Sequence, residues 1–274
     1  MPEHELLPGP DGRMLDVSWT SESNGARGAI VWHNGSPHTG GLLPPLVDLA
    51  GARGIRLGTY ARPSYGASTP KPGRTAADAA ADVRAIADAL RLDRFLVLGA
   101  SGGGPHALAC AALLPDRVTG VATFASPAPD APDIDWLAGM QAPGALTAAR
   151  AGRAARARFA ETDAFDEAIF TPADWGALGR DWGAVGRDAA AAEGSGPDGL
   201  IDDDVAFAQP WGFDVATIRV PVILAQGADD RVIPRQHGEW LAAHLPGAEL
   251  WLREGDGHVS VMDAIPAALD RLLA

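Results

Sequence analysis

Short apolar runs alternate with segments of helical spacing along most of the chain. A run such as Phe95–Leu98, apolar on both faces of a strand, is typical of a central parallel strand that is covered on both sides. The alternation of strand and helix patterns predicts an α/β fold with a doubly wound, mostly parallel sheet of the eight-stranded type. The runs that predict strands are Arg13–Thr20, Ala29–Trp32, Ile55–Tyr60, Phe95–Leu98, Val118–Phe124, Val220–Ala225 and Glu249–Leu252.

Helical patterns follow several of these runs. The first begins at Thr75, which is a good N-cap residue, and Asp78 stands three residues later, in the position of a capping-box partner. We therefore expect Thr75 to cap this helix. The predicted helices are Thr75–Leu92, Pro105–Leu114, Gln236–His244 and Val259–Leu273.

One long segment, from about Pro127 to Phe213, lacks strand patterns. Ala145–Phe159 and Asp163–Phe170 have helical patterns, whereas Asp188–Asp204 is expected to be a mobile loop. The tryptophans and phenylalanines of the segment indicate a packed body, because disordered segments are usually poor in aromatic residues. We predict a core domain made of residues 1–127 and 215–274, and a helical cap or lid insertion formed by residues 128–214.

The five residues Gly99–Gly103 fit the pattern G-x-S-x-G and stand between a predicted strand and a predicted helix. A serine in that context lies on a sharp turn that requires very small residues two positions away on either side. The N-terminus of the following helix then stabilises negative charge that develops near the serine oxygen. The alternative is a Gly-rich turn before a helix, such as a phosphate loop, but no Gly-Lys-Ser/Thr follows, as a P-loop requires. Ser101 is therefore the candidate nucleophile.

A serine hydroxyl is a poor nucleophile without a neighbouring base. The candidate base is His258, which follows the last predicted strand and is preceded by Gly255-Asp256-Gly257. A carboxylate must orient this imidazole, and two candidates, Asp229 and Asp230, follow the strand Val220–Ala225. The order Ser…Asp…His along the chain is that of the α/β-hydrolase scaffold rather than of chymotrypsin or subtilisin.

These motifs resemble those of α/β-hydrolase-fold enzymes, in the branch of cofactor-independent esterases, haloperoxidases and proline-iminopeptidase-like proteins. The resemblance covers most of residues 12–127 and 215–274. In the family's G-x-x-D pattern the acid is the fourth residue, which implies Asp230 rather than Asp229 and a triad with Ser101 and His258. The resemblance rests on Gly99–Gly103, Gly227–Pro234 and Gly257-His258, and on the stretches Trp32–Pro37 and Tyr60–Ser68.

The resemblance also implies an oxyanion hole and acyl transfer without a cofactor or a metal ion. By match, the backbone N–H groups of Ser36 and Gly102 bind the oxyanion. Two residues depart from the family pattern. Asn34 stands where a histidine is usual, which makes the geometry of this loop less certain than the triad. Ala61 stands where an aspartate is usual, so we expect a structural carboxylate to be missing there.

Further polar residues are weaker candidates. His38 follows the oxyanion loop and His106 lies one turn after Ser101, so both are candidates for the substrate pocket. We interpret the run Asp202–Asp204 as solvated, because no EF-type spacing follows it that would favour calcium.

Composition limits the function classes. A formal net charge of −13 argues against a nucleic-acid partner and against anionic membrane surfaces. The single cysteine, Cys110, excludes an intramolecular disulfide and a cysteine-type zinc site. The N-terminal residues lack a signal-peptide pattern and no apolar stretch is long enough for a membrane span, so a cytoplasmic location is the simplest expectation. The expected partner is a small-molecule substrate, and a homo-oligomer is compatible with the sequence.

Three functions stay open at this stage. The first is a cofactor-free serine hydrolase that acts on a small ester-like substrate. The second is a proline-iminopeptidase-like aminopeptidase, in which acidic residues of the insertion bind the substrate amine. The third is a ligand-binding relative with little or no hydrolytic activity, because fold alone does not determine function. Haloalkane dehalogenase and epoxide hydrolase chemistry are disfavoured, because both resemble this scaffold with an aspartate in place of Ser101.

Overall fold

The central strand of the fold is Phe95–Ala100, which is buried along its whole length as its apolar run predicts. In the computed structural model, which describes residues 2–21 and 28–274, it belongs to one sheet of eight strands in the order β1-β2-β4-β3-β5-β6-β7-β8. Strands β3 to β8 run parallel, and β2 pairs antiparallel with both β1 and β4. The predicted α/β fold with a mostly parallel, doubly wound sheet is confirmed. The strands are β1 (Pro2–Pro8), β2 (Met14–Thr20), β3 (Ala29–His33), β4 (Arg56–Ala61), β5 (Phe95–Ala100), β6 (Val118–Phe124), β7 (Val222–Gly227) and β8 (Glu249–Arg253).

Helices cover both faces of the sheet. Alternate residues of its central strands point to opposite faces, so each face has its own core. On one face α2 (Asp78–Ala89), α3 (Gly103–Leu113) and α9 (Gln236–His244) contribute to the same core as Phe95 and Val97. On the other face α1 (Pro44–Ala52) and α10 (Ile265–Leu273) pack with Leu96 and Leu98. Both faces of β5 are therefore removed from water, which is why its sequence is apolar throughout.

The sequence patterns miss or shift several elements. Strand β1 lies at the sheet edge and is largely exposed, so it lacks an apolar run. Helix α2 begins at Asp78 with Ala77 as its N-cap residue, so the prediction that Thr75 caps the helix is wrong. Thr75 and Asp78 are nevertheless linked, because the Thr75 backbone N–H donates to Asp78 Oδ2 at 2.7 Å. The predicted C-terminal helix begins with a 3₁₀ turn at Ser260–Ala264 and continues as α10.

Residues 128–214, which we call the inserted segment, lie between β6 and β7 in the chain and are helical where they have regular structure. The predicted helix Ala145–Phe159 is broken at Gly152, whose φ is +93°, and Asp163–Phe170 keeps only a 3₁₀ turn at Glu167–Ile169. The helices are α4 (Gly144–Arg150), α5 (Arg153–Ala160), α6 (Pro172–Leu178), α7 (Gly183–Glu193) and α8 (Asp198–Ala208).

The predictions of a mobile loop over Asp188–Asp204 and of a solvated acidic run are wrong. Helices α7 and α8 cover most of this stretch, and Asp202, Asp203 and Asp204 are all buried. The physical reason is charge pairing, since each of the three carboxylates meets at least one arginine. A local acidic run does not reveal partners that come from distant parts of the chain.

No helix among residues 2–21 and 28–274 is both long and apolar enough to cross a bilayer.

The close packing around Gly103 in the G-x-S-x-G turn predicts that a larger residue there destabilises the folded protein. A Cβ added at Gly103 would lie 2.0 Å from the His33 carbonyl oxygen, a backbone atom that cannot easily move. Gly103→Ala should therefore lower the free energy of unfolding by at least about 1–3 kcal/mol, the usual cost of overpacking. Chemical denaturation measures this loss. The matched control is Gly51→Ala in α1, where a Cβ meets nothing within 4 Å, and which should be neutral or stabilising. Equal stability of the two variants would contradict the close approach.

Candidate active site

Ser101 lies at the tip of the turn between β5 and α3, with a φ of +51°. Its backbone N–H donates to the Phe124 carbonyl at 2.8 Å, which attaches the turn to the neighbouring strand. A Cβ at Gly99 would lie 2.5 Å from the Gly103 carbonyl oxygen, so only glycine permits the chain to fold this tightly. The strained turn presents the Ser101 hydroxyl at the carboxyl edge of the sheet.

Two loops at the same edge bring a histidine and a carboxylate to Ser101. His258 follows β8, and its Nε2 lies 2.9 Å from Ser101 Oγ. Asp230 follows β7, and its Oδ2 lies 2.9 Å from His258 Nδ1. The other carboxylate oxygen of Asp230 accepts the backbone N–H groups of Val232 and Ile233, at 2.8 and 2.9 Å. The three residues thus form a continuous chain of hydrogen bonds that can carry a proton from the serine oxygen to the imidazole.

The surroundings of His258 favour its protonated form. Burial lowers the pKa of the imidazole, but the carboxylates of Asp230 and Asp174 together raise it above the usual value for histidine. A base that must take a proton from Ser101 benefits from this effect, because the imidazolium is stabilised when it forms. Asp229, the alternative acid, donates its backbone N–H to the Asp256 carbonyl, whereas within the described part of the chain the carboxylate hydrogen-bonded to His258 is that of Asp230.

Ser36 and Gly102 lie against each other beside the serine. A Cβ at Gly102 would be 2.4 Å from Ser36 Oγ, so the Ser36 side chain fits against the Gly102 backbone only because Gly102 has no side chain. Gly102 is also the N-cap residue of α3, where backbone N–H groups are free of partners within the helix. Ser36 and Gly102, the two residues predicted to bind the oxyanion, therefore lie next to each other and both line the smaller cavity at Ser101.

The loop that carries Ser36 is held by a buried arginine. Arg62 donates to the carbonyl oxygens of Asn34 and Gly35, at 2.6 and 3.3 Å, and to Ser36 Oγ at 2.9 Å. Asn34 also ties the loop to the sheet, because its amide donates to Thr59 Oγ1 at 3.0 Å. At the position where the family usually has histidine, Asn34 thus forms a hydrogen bond with Thr59 of β4.

The carboxylate that balances Arg62 comes from the inserted segment. Asp203 in α8 is fully buried and forms ion pairs of 2.6 Å with both Arg62 and Arg74. It also accepts hydrogen bonds from Tyr65 Oη and Ser36 Oγ. Burial alone raises the pKa of Asp203, but the two guanidinium groups hold it well below its ordinary value. Sequence reasoning missed this residue because its partners are more than 120 positions away in the chain.

A cavity of about 490 Å³ opens onto Ser101 and His258. A second lobe of about 240 Å³ also reaches Ser101 and Ser36, on the side of Gly102 and Phe207. The volume of the larger cavity is in the range of small-molecule sites. Its walls are mainly apolar and come from both the core and the inserted segment, as shown by Trp32, Leu43, Phe165, Phe170, Trp175 and Met262.

The remaining histidines differ in their relation to the cavity. His38 contributes to the wall of the larger cavity and packs against Tyr65, with ring centroids 4.2 Å apart and the two ring planes tilted by 36°. His106 lies away from both lobes, and its Nδ1 donates to the Gly102 carbonyl at 2.8 Å. Burial lowers the pKa of both rings well below the usual value, so both are neutral. Of the two candidates for the pocket, His106 thus has a structural contact with the turn and does not line either lobe.

Among residues 2–21 and 28–274, no group of three or more His, Cys, Asp or Glu side chains has the arrangement of a metal site. Cys110 is buried, and burial raises the pKa of its thiol.

Residues 28–265 match the family model for the alpha/beta hydrolase fold. The chain belongs to this family. The sheet and helices described above agree with this fold, and membership supports hydrolase activity in general terms. No curated protein matches this sequence.

Solved structures extend the comparison over nearly the whole chain. A hydrolase from Pseudomonas aeruginosa PA01 is 23% identical, with a TM-score of 0.76 and coverage of 99% of this chain and 98% of the other. An enol-lactonase from Burkholderia xenovorans LB400 is 22% identical, with a TM-score of 0.72 and coverage of 99% of both. A thermophilic esterase from Thermogutta terrifontis is 18% identical, with a TM-score of 0.71 and coverage of 99% and 98%. At these identities the likeness shows the fold alone.

The assignment of Asp230, rather than Asp229, as the carboxylate that orients His258 can be tested directly. Asp230→Asn should lower kcat by about 10⁴-fold, because an amide stabilises the wrong imidazole tautomer and cannot balance the imidazolium. Steady-state hydrolysis of an activated ester measures the effect. Asp229→Asn is the matched control, and it should keep activity near that of the wild type. If Asp229→Asn is the damaging variant, the assignment of the acid is wrong.

The ion pairs of Asp203 predict a large effect on stability. Asp203→Asn leaves the buried guanidinium groups of Arg62 and Arg74 without their counter-charge, which typically costs about 3–5 kcal/mol. Urea denaturation followed by circular dichroism measures the loss. Asp88→Asn, which breaks the largely exposed pair with Arg117, should cost less than about 1 kcal/mol. Similar losses in the two variants would contradict the role given to Asp203.

Proposed function

We propose that the protein is a serine hydrolase that acts by acyl transfer on a small ester-like substrate. The observation that carries this proposal is the chain of two hydrogen bonds, each 2.9 Å long, from Ser101 Oγ through His258 to Asp230. This is the geometry of a nucleophile, its general base and the acid that orients the base. The strained turn that exposes Ser101 supports the same role.

In the proposed reaction, Ser101 Oγ attacks the substrate carbonyl carbon while its proton passes to His258 Nε2. Asp230 holds the Nδ1 proton and balances the charge of the imidazolium. The tetrahedral intermediate then breaks its bond to the leaving group, which takes the proton from His258. Water, activated by the same imidazole, attacks the acyl-enzyme, releases the acid and returns the proton to Ser101.

The backbone N–H groups of Ser36 and Gly102 are proposed to bind the oxyanion of this intermediate. Each such donor typically contributes about 10²–10³-fold to kcat. Arg62 and Asp203 support this role indirectly, because they fix the loop that carries Ser36. A fixed donor does not have to reorganise when the negative charge develops, which is the source of its effect on rate.

The shape of the cavity supports a substrate with one apolar group. The larger lobe is lined mainly by aromatic and aliphatic side chains, and its volume of about 490 Å³ has room for a small organic molecule. The smaller lobe meets it at Ser101, so the acyl group and the leaving group can occupy opposite sides of the nucleophile. An ester or a lactone with an apolar part fits this arrangement.

A second candidate is an aminopeptidase of the proline-iminopeptidase type. Two acidic residues of α7, Asp188 and Glu193, line the larger cavity and offer negative charge to a substrate amine. The carboxylate of Asp188 already accepts the backbone N–H and the hydroxyl of Thr39, and Glu193 is exposed. Asp188 is thus already paired and the charge of Glu193 is screened by solvent, so neither is a strong binding group for a substrate amine. We therefore favour the ester substrate.

A substrate panel separates the candidates. Purified protein is offered p-nitrophenyl acetate, butyrate and octanoate beside prolyl-p-nitroanilide, with Ser101→Ala as the control in each assay. We expect turnover of the esters, negligible turnover of the prolyl amide, and loss of ester hydrolysis in Ser101→Ala. Strong prolyl turnover with negligible ester turnover would favour the aminopeptidase. Absence of turnover on both classes would favour a ligand-binding protein.

A further inference from the structure

The loop that carries His258 is attached to the inserted segment by one carboxylate. Asp174 lies in α6 and is fully buried. Its Oδ1 accepts the backbone N–H groups of Val259 and Ser260, at 2.7 and 2.9 Å, and the Ser260 hydroxyl at 3.2 Å. These are the two residues that directly follow His258. The backbone next to the imidazole is therefore held from the side of the inserted segment as well as from the sheet.

The other carboxylate oxygen of Asp174, Oδ2, forms hydrogen bonds with the residue at the start of its own helix. Oδ2 accepts the backbone N–H and the hydroxyl of Thr171, both at 2.9 Å. The Asp174 backbone N–H donates in return to Thr171 Oγ1 at 3.2 Å, and this bond and the one from the Thr171 backbone N–H form the capping box of α6. A capping box needs only this oxygen. The three hydrogen bonds to Oδ1 are additional, and they link a helix end to a loop 85 residues further along the chain.

Gly257 makes this contact sterically possible. A Cβ at Gly257 would lie 2.1 Å from Asp174 Oδ2, so any other residue would push the carboxylate away. The Gly257 backbone N–H donates to Ser260 Oγ at 2.8 Å, which closes the loop on itself. Glycine is thus required immediately before His258 because Asp174 occupies the space of a side chain.

Asp174 also acts on the imidazole through its charge. Burial raises the pKa of Asp174, but the N–H groups of Ser260, Thr171 and Val259 lower it overall, so the carboxylate stays ionised. Two negative charges raise the pKa of His258, and they come from different elements: Asp230 from the loop after β7, and Asp174 from α6.

We propose that Asp174 is a positioning residue of the active site, which fixes the His258 loop and adds a second negative charge near the imidazole. The proposal rests on the proposed serine hydrolase function. It makes the inserted segment part of the catalytic machinery, because α6 must be docked for the base to be correctly aligned with Ser101.

The test compares Asp174→Asn with Thr171→Ala on a p-nitrophenyl ester, measuring kcat, KM and the pH dependence of kcat/KM. Asp174→Asn removes the charge, so the imidazolium is less favoured and the apparent pKa of the base should fall. The loss of alignment should lower kcat by about 10- to 100-fold, the usual result of misplacing a catalytic group by up to about 1 Å. KM should change little. Thr171→Ala removes the hydroxyl from the capping box and from Oδ2 but leaves the charge of Asp174 and the three hydrogen bonds to Oδ1, so it should keep the pH profile of the wild type.

If Asp174→Asn has the kcat and pH profile of the wild type and only a lower melting temperature, the proposal is overturned. Should Asp174→Asn fail to fold, Ser260→Ala provides the second test, because it removes one donor to Oδ1 and the acceptor of Gly257. It should lower kcat with little change in KM, and wild-type kinetics for this variant would also overturn the proposal. An inactive wild-type protein that does not react with a fluorophosphonate would instead refute the proposed function.

Discussion

The contact between the Gly99–Gly103 turn and the end of β3 is the constraint on which the rest of the site depends. Gly103 lies directly against the carbonyl oxygens of His33 and Asn34, and Gly102 lies against Ser36. The same turn carries Ser101 on its strained backbone and places the Ser36 side chain against Gly102. A side chain at Gly103 would separate β3 from α3, and a side chain at Gly102 would displace Ser36.

Buried carboxylates from the inserted segment extend this constraint outward. Asp203 fixes the Ser36 loop through Arg62, and Asp174 fixes the His258 loop through backbone N–H groups. Isolated charges are costly to bury, so each carboxylate needs nearly complete pairing, and that pairing defines one position for the inserted helices. A segment that resembles a removable lid in sequence is thus bound to the core at two points beside the candidate triad.

The sequence predicts best what depends on neighbours in the chain. The run Phe95–Leu98, the turn around Ser101 and the order of Ser101, Asp230 and His258 all follow from local patterns, and the family model agrees with the fold they imply. Asp203 and Asp174 could not be assigned, because their partners are brought close only by the folded chain. Thr171-Pro172-Ala173-Asp174 does carry a capping-box pattern, which would have indicated the start of α6 but not the contact with the His258 loop.

The central claim is that Ser101 is the nucleophile of this site. Its most direct test is mass spectrometry of the protein after reaction with a fluorophosphonate, first on the intact chain and then on its peptides. The account predicts a single phosphonyl adduct on the peptide that contains Ser101, and none in Ser101→Ala. An adduct that persists in Ser101→Ala, or that maps to another residue of the wild-type protein, would contradict it.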